Sequence, residues 1–219
     1  MAKGAATRYL SAEGGAPLEA RELVRRYVAA LQETGAAQGQ DLLAGFRLTR
    51  KAAQSLGEFG DIAAQSGLAA ALASWGLEDV AQASPETAIA GLTSAWLEDQ
   101  GGLEAAVART ALAACLEKVL SASPTSPPGV NGPSLVKSFL AIMLSQRLAF
   151  DLGESLEAAA PGWPAYRQGL ARLAKELQDD DDAITDEPFE AGHWQGLAGW
   201  LWVTQILERV LRRFQDNGA

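Results

Sequence analysis

The periodic stretches of this chain follow helical spacing. Val24, Tyr27, Val28 and Leu31 share one face at i, i+3, i+4, i+7. Pro17 opens that helix, where its missing N–H costs nothing. Glu22 and Arg26 form an i, i+4 pair on its other side. A helical stretch from about Asp41 to Ser66 follows, with Leu42, Leu43, Phe46 and Leu56 as its buried residues and Gly57 and Gly60 allowing a break or close packing. Short apolar segments at Leu68–Trp75 and Leu77–Ala83 come next. Ser84 then caps a helix with Pro85 at its first position, continuing through Ile89, Leu92 and Trp96. Gly101-Gly102 separates it from the helix of Leu103, Val107, Leu112, Cys115, Leu116 and Val119. A long helix over 135–160 buries Phe139, Ile142, Met143 and Phe150. Another covers Ala165–Gln178, and a last one from about Trp194 carries Trp200, Val203, Ile206, Leu207, Val210 and Phe214.

These elements predict an all-α fold, an irregular bundle of about eight helices in two lobes. Residues 1–16, with three glycines and no sustained period, read as a flexible tail. One lobe spans 17–121. The segment around 122–134, rich in proline, glycine and serine, reads as a linker, and the second lobe spans 135–219. Composition supports the class: 43 Ala stand against 14 Val plus Ile, so the best helix former outnumbers the aliphatic β-branched residues threefold. No stretch approaches the length and hydropathy of a membrane span, no secretory leader is evident, and a lone cysteine fits a reducing compartment. The cytoplasm is the expected location.

The net charge of −9 is uneven, +3 over residues 1–52 and −12 beyond. An acidic body argues against broad nucleic-acid binding, since phosphate contacts need a basic surface. His193 and Cys115 are single copies, so sites needing several imidazoles or thiols cannot be assembled within the chain. Glu190 and His193 have the E-x-x-H spacing of a di-iron bundle, which needs a second such motif. Ser134 and Lys137 match S-x-x-K without its companion motifs, and Ser134 reads better as a helix cap. The acidic run Asp179–Asp182 lacks a calcium-loop pattern and reads as a solvated loop, and Pro124–Pro127 matches P-x-x-P inside the linker. No catalytic residue, metal site or cofactor is expected.

Two clusters suit protein contacts. Arg47, Arg50 and Lys51 offer positive charge on one helix, and Trp200 and Trp202 crowd the last helix beside Trp194. Three tryptophans in nine residues leave at least one looking outward, and tryptophan is enriched at interfaces.

Four segments together carry a family resemblance: LGEFGDIAAQSGLAAAL (Leu56–Leu72), GLEDVAQASPETAIAGLTSAW (Gly76–Trp96), GGLEAAVARTALAACLEKVL (Gly101–Leu120) and SQRLAFDLGESL (Ser145–Leu156). In order and character they resemble the QatB family, the B component of bacterial Qat anti-phage defence systems, over roughly residues 40–175. The resemblance implies a four-gene defence operon whose other products are an ATPase, a QueC-like enzyme and a TatD-like nuclease. It implies a protein without catalytic motifs that binds the QueC-like enzyme, or serves as its substrate through tail glycines, of which Gly4, Gly14 and Gly15 are the candidates. The alternatives are a helical adaptor that is never modified, and a peripheral membrane effector, which the negative charge disfavours.

Overall fold

The computed structural model describes residues 2–10, 19–37, 42–78, 84–98, 100–120, 131–178 and 194–213. Among them the regular structure is helical throughout, with no strand. The helices are α1 (Ala2–Leu10), α2 (Ala20–Ala37), α3 (Arg47–Ser66), α4 (Leu68–Ala73), α5 (Pro85–Leu97), α6 (Leu103–Leu120), α7 (Gly132–Ala159), α8 (Trp163–Gln178) and α9 (Gly196–Arg213). A 3-10 turn, Leu42–Phe46, leads into α3.

Local chemistry explains several boundaries. Ser84 caps α5 through its side-chain oxygen, which accepts the Thr87 N–H, and Pro85 follows in the first turn. The first turn of α3 has no cap of its own. Its Thr49 N–H is instead taken by the Glu104 carboxylate of α6 at 2.9 Å, which puts a negative charge at a helix N-terminus. Gly67, at φ +88°, sits between α3 and α4 in a conformation that favours glycine. Asn131, rather than Ser134, caps α7: its side-chain oxygen accepts the Ser134 N–H at 2.9 Å. The helix therefore begins inside the segment assigned to the linker, at Gly132.

The chain forms two compact units that do not follow the sequential lobes expected. Unit 1 comprises 1–45, 144–185 and 207–219, and unit 2 comprises 46–143 and 186–206, so the division falls inside α7 and α9. In unit 1, α1 packs on α2 and α8, and α2 packs on α8. Residues 2–10 are therefore a packed helix and not part of a flexible tail. Ala5, Ala6, Tyr9 and Leu10 are buried, and the Tyr9 hydroxyl donates to the Gly169 carbonyl at 3.1 Å. Tyr27 donates to Asp151 at 2.6 Å, and Arg147 donates to the same oxygen at 2.9 Å. Burial, then the Asp151 carboxylate, pushes the Tyr27 hydroxyl well above the ordinary phenol range. Phe150, expected inside, is 67% exposed. It lies off the α7 stripe formed by the buried Leu148, Leu152 and Leu156.

In unit 2, α3 packs on α4, α5 and α6, and α5 packs on α6. Phe59, Trp75 and Trp96 meet edge to face, at centroid separations of 5.8 Å for Phe59–Trp96 and 5.4 Å for Trp75–Trp96. Cys115 is buried, and burial pushes its thiol up to about 12, so it stays protonated and unreactive at neutral pH. Leu77 and Glu78 lie in the turn after α4, and the rest of the short helix expected there falls outside the described residues.

Candidate functional site

Within unit 2 the fold brings together the two residue clusters that the sequence marks for contact. The first turns of α9 lie against α3, held by a buried polar lock. Trp194, just before α9, is buried, and its indole N–H donates to Asp61 of α3 at 2.6 Å. The other Asp61 oxygen accepts the Gly132 N–H at 2.8 Å, so the carboxylate also sits at the N-terminus of α7, where negative charge is favoured. Asp61 is only 7% exposed, a burial that its two donors make tolerable. Small residues make room for the ring. A methyl group at Gly57 would overlap the indole, and one at Gly132 would strike both Asp61 and the Gly57 carbonyl. Gln54 completes the lock, donating to the carbonyls of Trp194 at 2.8 Å and Gly196 at 3.1 Å.

This lock sets Trp200 beneath Arg50. The guanidinium lies 4.1 Å from the indole centroid and donates to the Thr204 hydroxyl at 3.2 Å and the Phe46 carbonyl at 3.4 Å. The pair is a cation–π contact. Lys51 forms an ion pair with Glu98, and Arg47 is exposed. The three basic residues therefore differ: Arg50 is engaged with α9, Lys51 with the end of α5, and Arg47 faces solvent.

The tryptophans also differ from expectation. Trp194 is core, and Trp200 and Trp202 are both half-buried, so none of the three points freely outward. Trp202 meets Trp194 edge-on, with centroids 4.9 Å apart. The outward apolar residues of α9 are Leu197, 71% exposed, and Leu201, 50% exposed. They are one helical turn apart, on the face opposite the buried Val203, Ile206 and Leu207. A helical projection of α9 anchored on Val203 finds them directly from sequence. The result is a stretch of α9 with two exposed leucines next to Trp200, which stacks under Arg50.

The other candidate positions are scattered. Gly4 lies on the exposed side of α1 with open space around it. Gly14, Gly15, His193, the acidic run from Asp179 and the P-x-x-P segment lie outside the described residues. Among the described residues no group of three or more His, Cys, Asp or Glu side chains is arranged to hold a metal ion, and no helix is long and apolar enough to cross a membrane.

Residues 42–175 match the family described as Qat anti-phage system associated protein QatB. The match runs from the 3-10 turn before α3 into the last turn of α8 and leaves α1, α2 and α9 outside. No curated protein and no solved structure matches the chain. The family match takes in more than half of the 219 residues, and the chain belongs to the QatB family, a component of the Qat anti-phage defence system.

Proposed function

We propose that this chain is a non-enzymatic defence component that acts in the cytoplasm by binding the QueC-like enzyme of its operon. The observation that carries the reading is the α3–α9 surface of Leu197, Leu201, Trp200 and Arg50. Exposed leucines beside a tryptophan and an arginine have the composition of an interface centre. Each leucine, covered by a partner, contributes about 1.5–3 kcal/mol of transfer free energy before binding costs are met.

The packing of α1 supports binding over tail modification as the primary role. Gly4 belongs to a helix whose other face is buried, so presenting it to an active site requires α1 to leave α2 and α8. Modification at Gly14 or Gly15, which lie outside the described residues, is the second reading.

The test is calorimetric titration of the full chain into purified QueC-like enzyme. Leu197→Asp/Leu201→Asp should weaken binding at least tenfold, at an estimated cost of about 2 kcal/mol, without lowering the melting temperature. Equal affinity for wild type and the double variant overturns the surface. Absence of wild-type binding overturns the partner.

A further inference from the structure

In unit 1, the helices α7 and α8 carry aromatic surface that their own packing leaves uncovered. Phe150 on α7 is 67% exposed, and Trp163, the first residue of α8, is 61% exposed. Tyr166 joins them. Its ring stacks on Trp163 with centroids 5.2 Å apart, and its hydroxyl lies 3.7 Å from where a side chain at Gly153 would begin. Gly153 is three residues beyond Phe150, a helical neighbour on α7. The aromatic surface thus runs from Trp163 through Tyr166 to the turn of α7 that carries Phe150. Phe150 and Trp163 alone leave about 250–300 Å² in water, and contiguous apolar surface of a few hundred Å² is where contacts form.

Charge narrows the occupant. On α7, Phe150 is followed at i+4 and i+7 by Glu154 and Glu157, both exposed. On α8, Arg167 is exposed four residues after Trp163. Among the described residues none of these three forms an ion pair. Arg172, farther along α8, is engaged over the Tyr9 ring at 5.4 Å. The face therefore holds carboxylates on one helix and a guanidinium on the other, unpaired within the chain. A two-fold axis that sets α7 of one copy against α8 of the other brings each pair of carboxylates to the mate's Arg167 and each Phe150 to the mate's Trp163. Such a face carries both halves of its own complement, which selects a second copy of the chain.

We propose that this face pairs two copies of the chain in a weak, isologous dimer. All of its residues lie within the stretch that matches the family. Its size sets its strength. The aromatic area is well short of the roughly 800 Å² per partner of a stable complex, so the dissociation constant should be on the order of 100 µM. The pairing uses none of the α9 residues, and it stands or falls separately from binding to the enzyme.

The test is sedimentation equilibrium of the purified full chain at about 20 to 500 µM, bracketing that constant. The salt is about 0.15 M, where a Debye length of about 8 Å screens the repulsion between two chains of −9 each. The wild-type mass should rise from 23.0 kDa toward twice that value. Phe150→Ser/Trp163→Ser should weaken the dimer at least tenfold and keep the melting temperature, since both side chains are exposed. Arg167→Glu and Glu154→Lys/Glu157→Lys should each stay monomeric alone and associate when mixed, because each supplies the charge that the other has reversed. A single 23.0 kDa species at every loading overturns the proposal. A dimer of unchanged strength in all three variants overturns it too, by placing self-association on another face. A monomeric wild type whose Phe150→Ser/Trp163→Ser variant loses the QueC-like enzyme would give this face to the enzyme and equally overturn the pairing.

Discussion

Asp61 is the residue on which the α3–α9 arrangement turns. A carboxylate buried to this degree is costly unless each oxygen finds a donor, and here the Trp194 indole and the Gly132 amide supply them. Trp194→Phe keeps most of the ring and removes one donor. It should destabilise the protein by about 1–3 kcal/mol, read as a lower midpoint in urea. Gly57→Ala attacks the same contact from the other side by placing a methyl group in the indole's space. It should cost about 1–3 kcal/mol in the same assay, whereas Gly4→Ala, in open space on α1, should be neutral or stabilising. Equal midpoints for Gly57→Ala and Gly4→Ala would refute the notch. The sequence showed Gly57 and Gly60 as sites of a break or of close packing and showed Trp194 beside the last helix. It did not show that they meet, because 137 positions separate Gly57 from Trp194 and neither has a local pattern pointing to the other.

Helices of this chain were legible where apolar mass and caps coincide. Ser84-Pro85 and Gly101-Gly102 marked their helix ends within a residue or two. α1 was missed because alanines make up most of its buried face. Ala2, Ala5, Ala6 and Tyr9 have helical spacing, yet an alanine stripe reads alike as core or surface. Hydrogen exchange should show the amides of 6–10 protected well beyond coil rates. Coil-like exchange there would restore the tail. α2 shows an electrostatic device at its start. Glu22, in its first turn, accepts from Arg25 and Arg26, and these hydrogen bonds hold its carboxyl down to about 2. A carboxyl with a lowered pKa stabilises the fold above its unfolded value, and that contribution fades as pH falls through the folded one. Because the side chains are partly solvated, it amounts to about 0.5–1 kcal/mol rather than the full shift. Glu22→Gln should lower the melting temperature at pH 7, and the gap from wild type should narrow between pH 4.5, the ordinary value of a free glutamate carboxyl, and pH 2. A gap that does not change with pH would place the effect elsewhere.

For the molecule as a whole, the all-α class followed from alanine abundance and helical spacing, while the grouping into units did not. Pro and Gly around 121–134 suggested a division by sequence, but α7 and α9 each contribute to both units. Chain order carries no signal for that grouping, which depends on which apolar faces find each other. The placement of the residues that the sequence marks for contact was legible only in part. Arg50 and Trp200 do meet, but Trp202 is committed to Trp194, and Leu197 and Leu201 take the outward role. Trp202→Ala should therefore cost about 2 kcal/mol of stability as well as any affinity, which makes the leucines the cleaner probe. The most direct test of the central claim is size-exclusion chromatography with light scattering on this chain after co-expression with its operon neighbours. The account predicts that the 23.0 kDa chain elutes in a complex containing the QueC-like enzyme and that Leu197→Asp/Leu201→Asp releases it. Elution of the wild-type chain alone, with the enzyme in a separate peak, would contradict it.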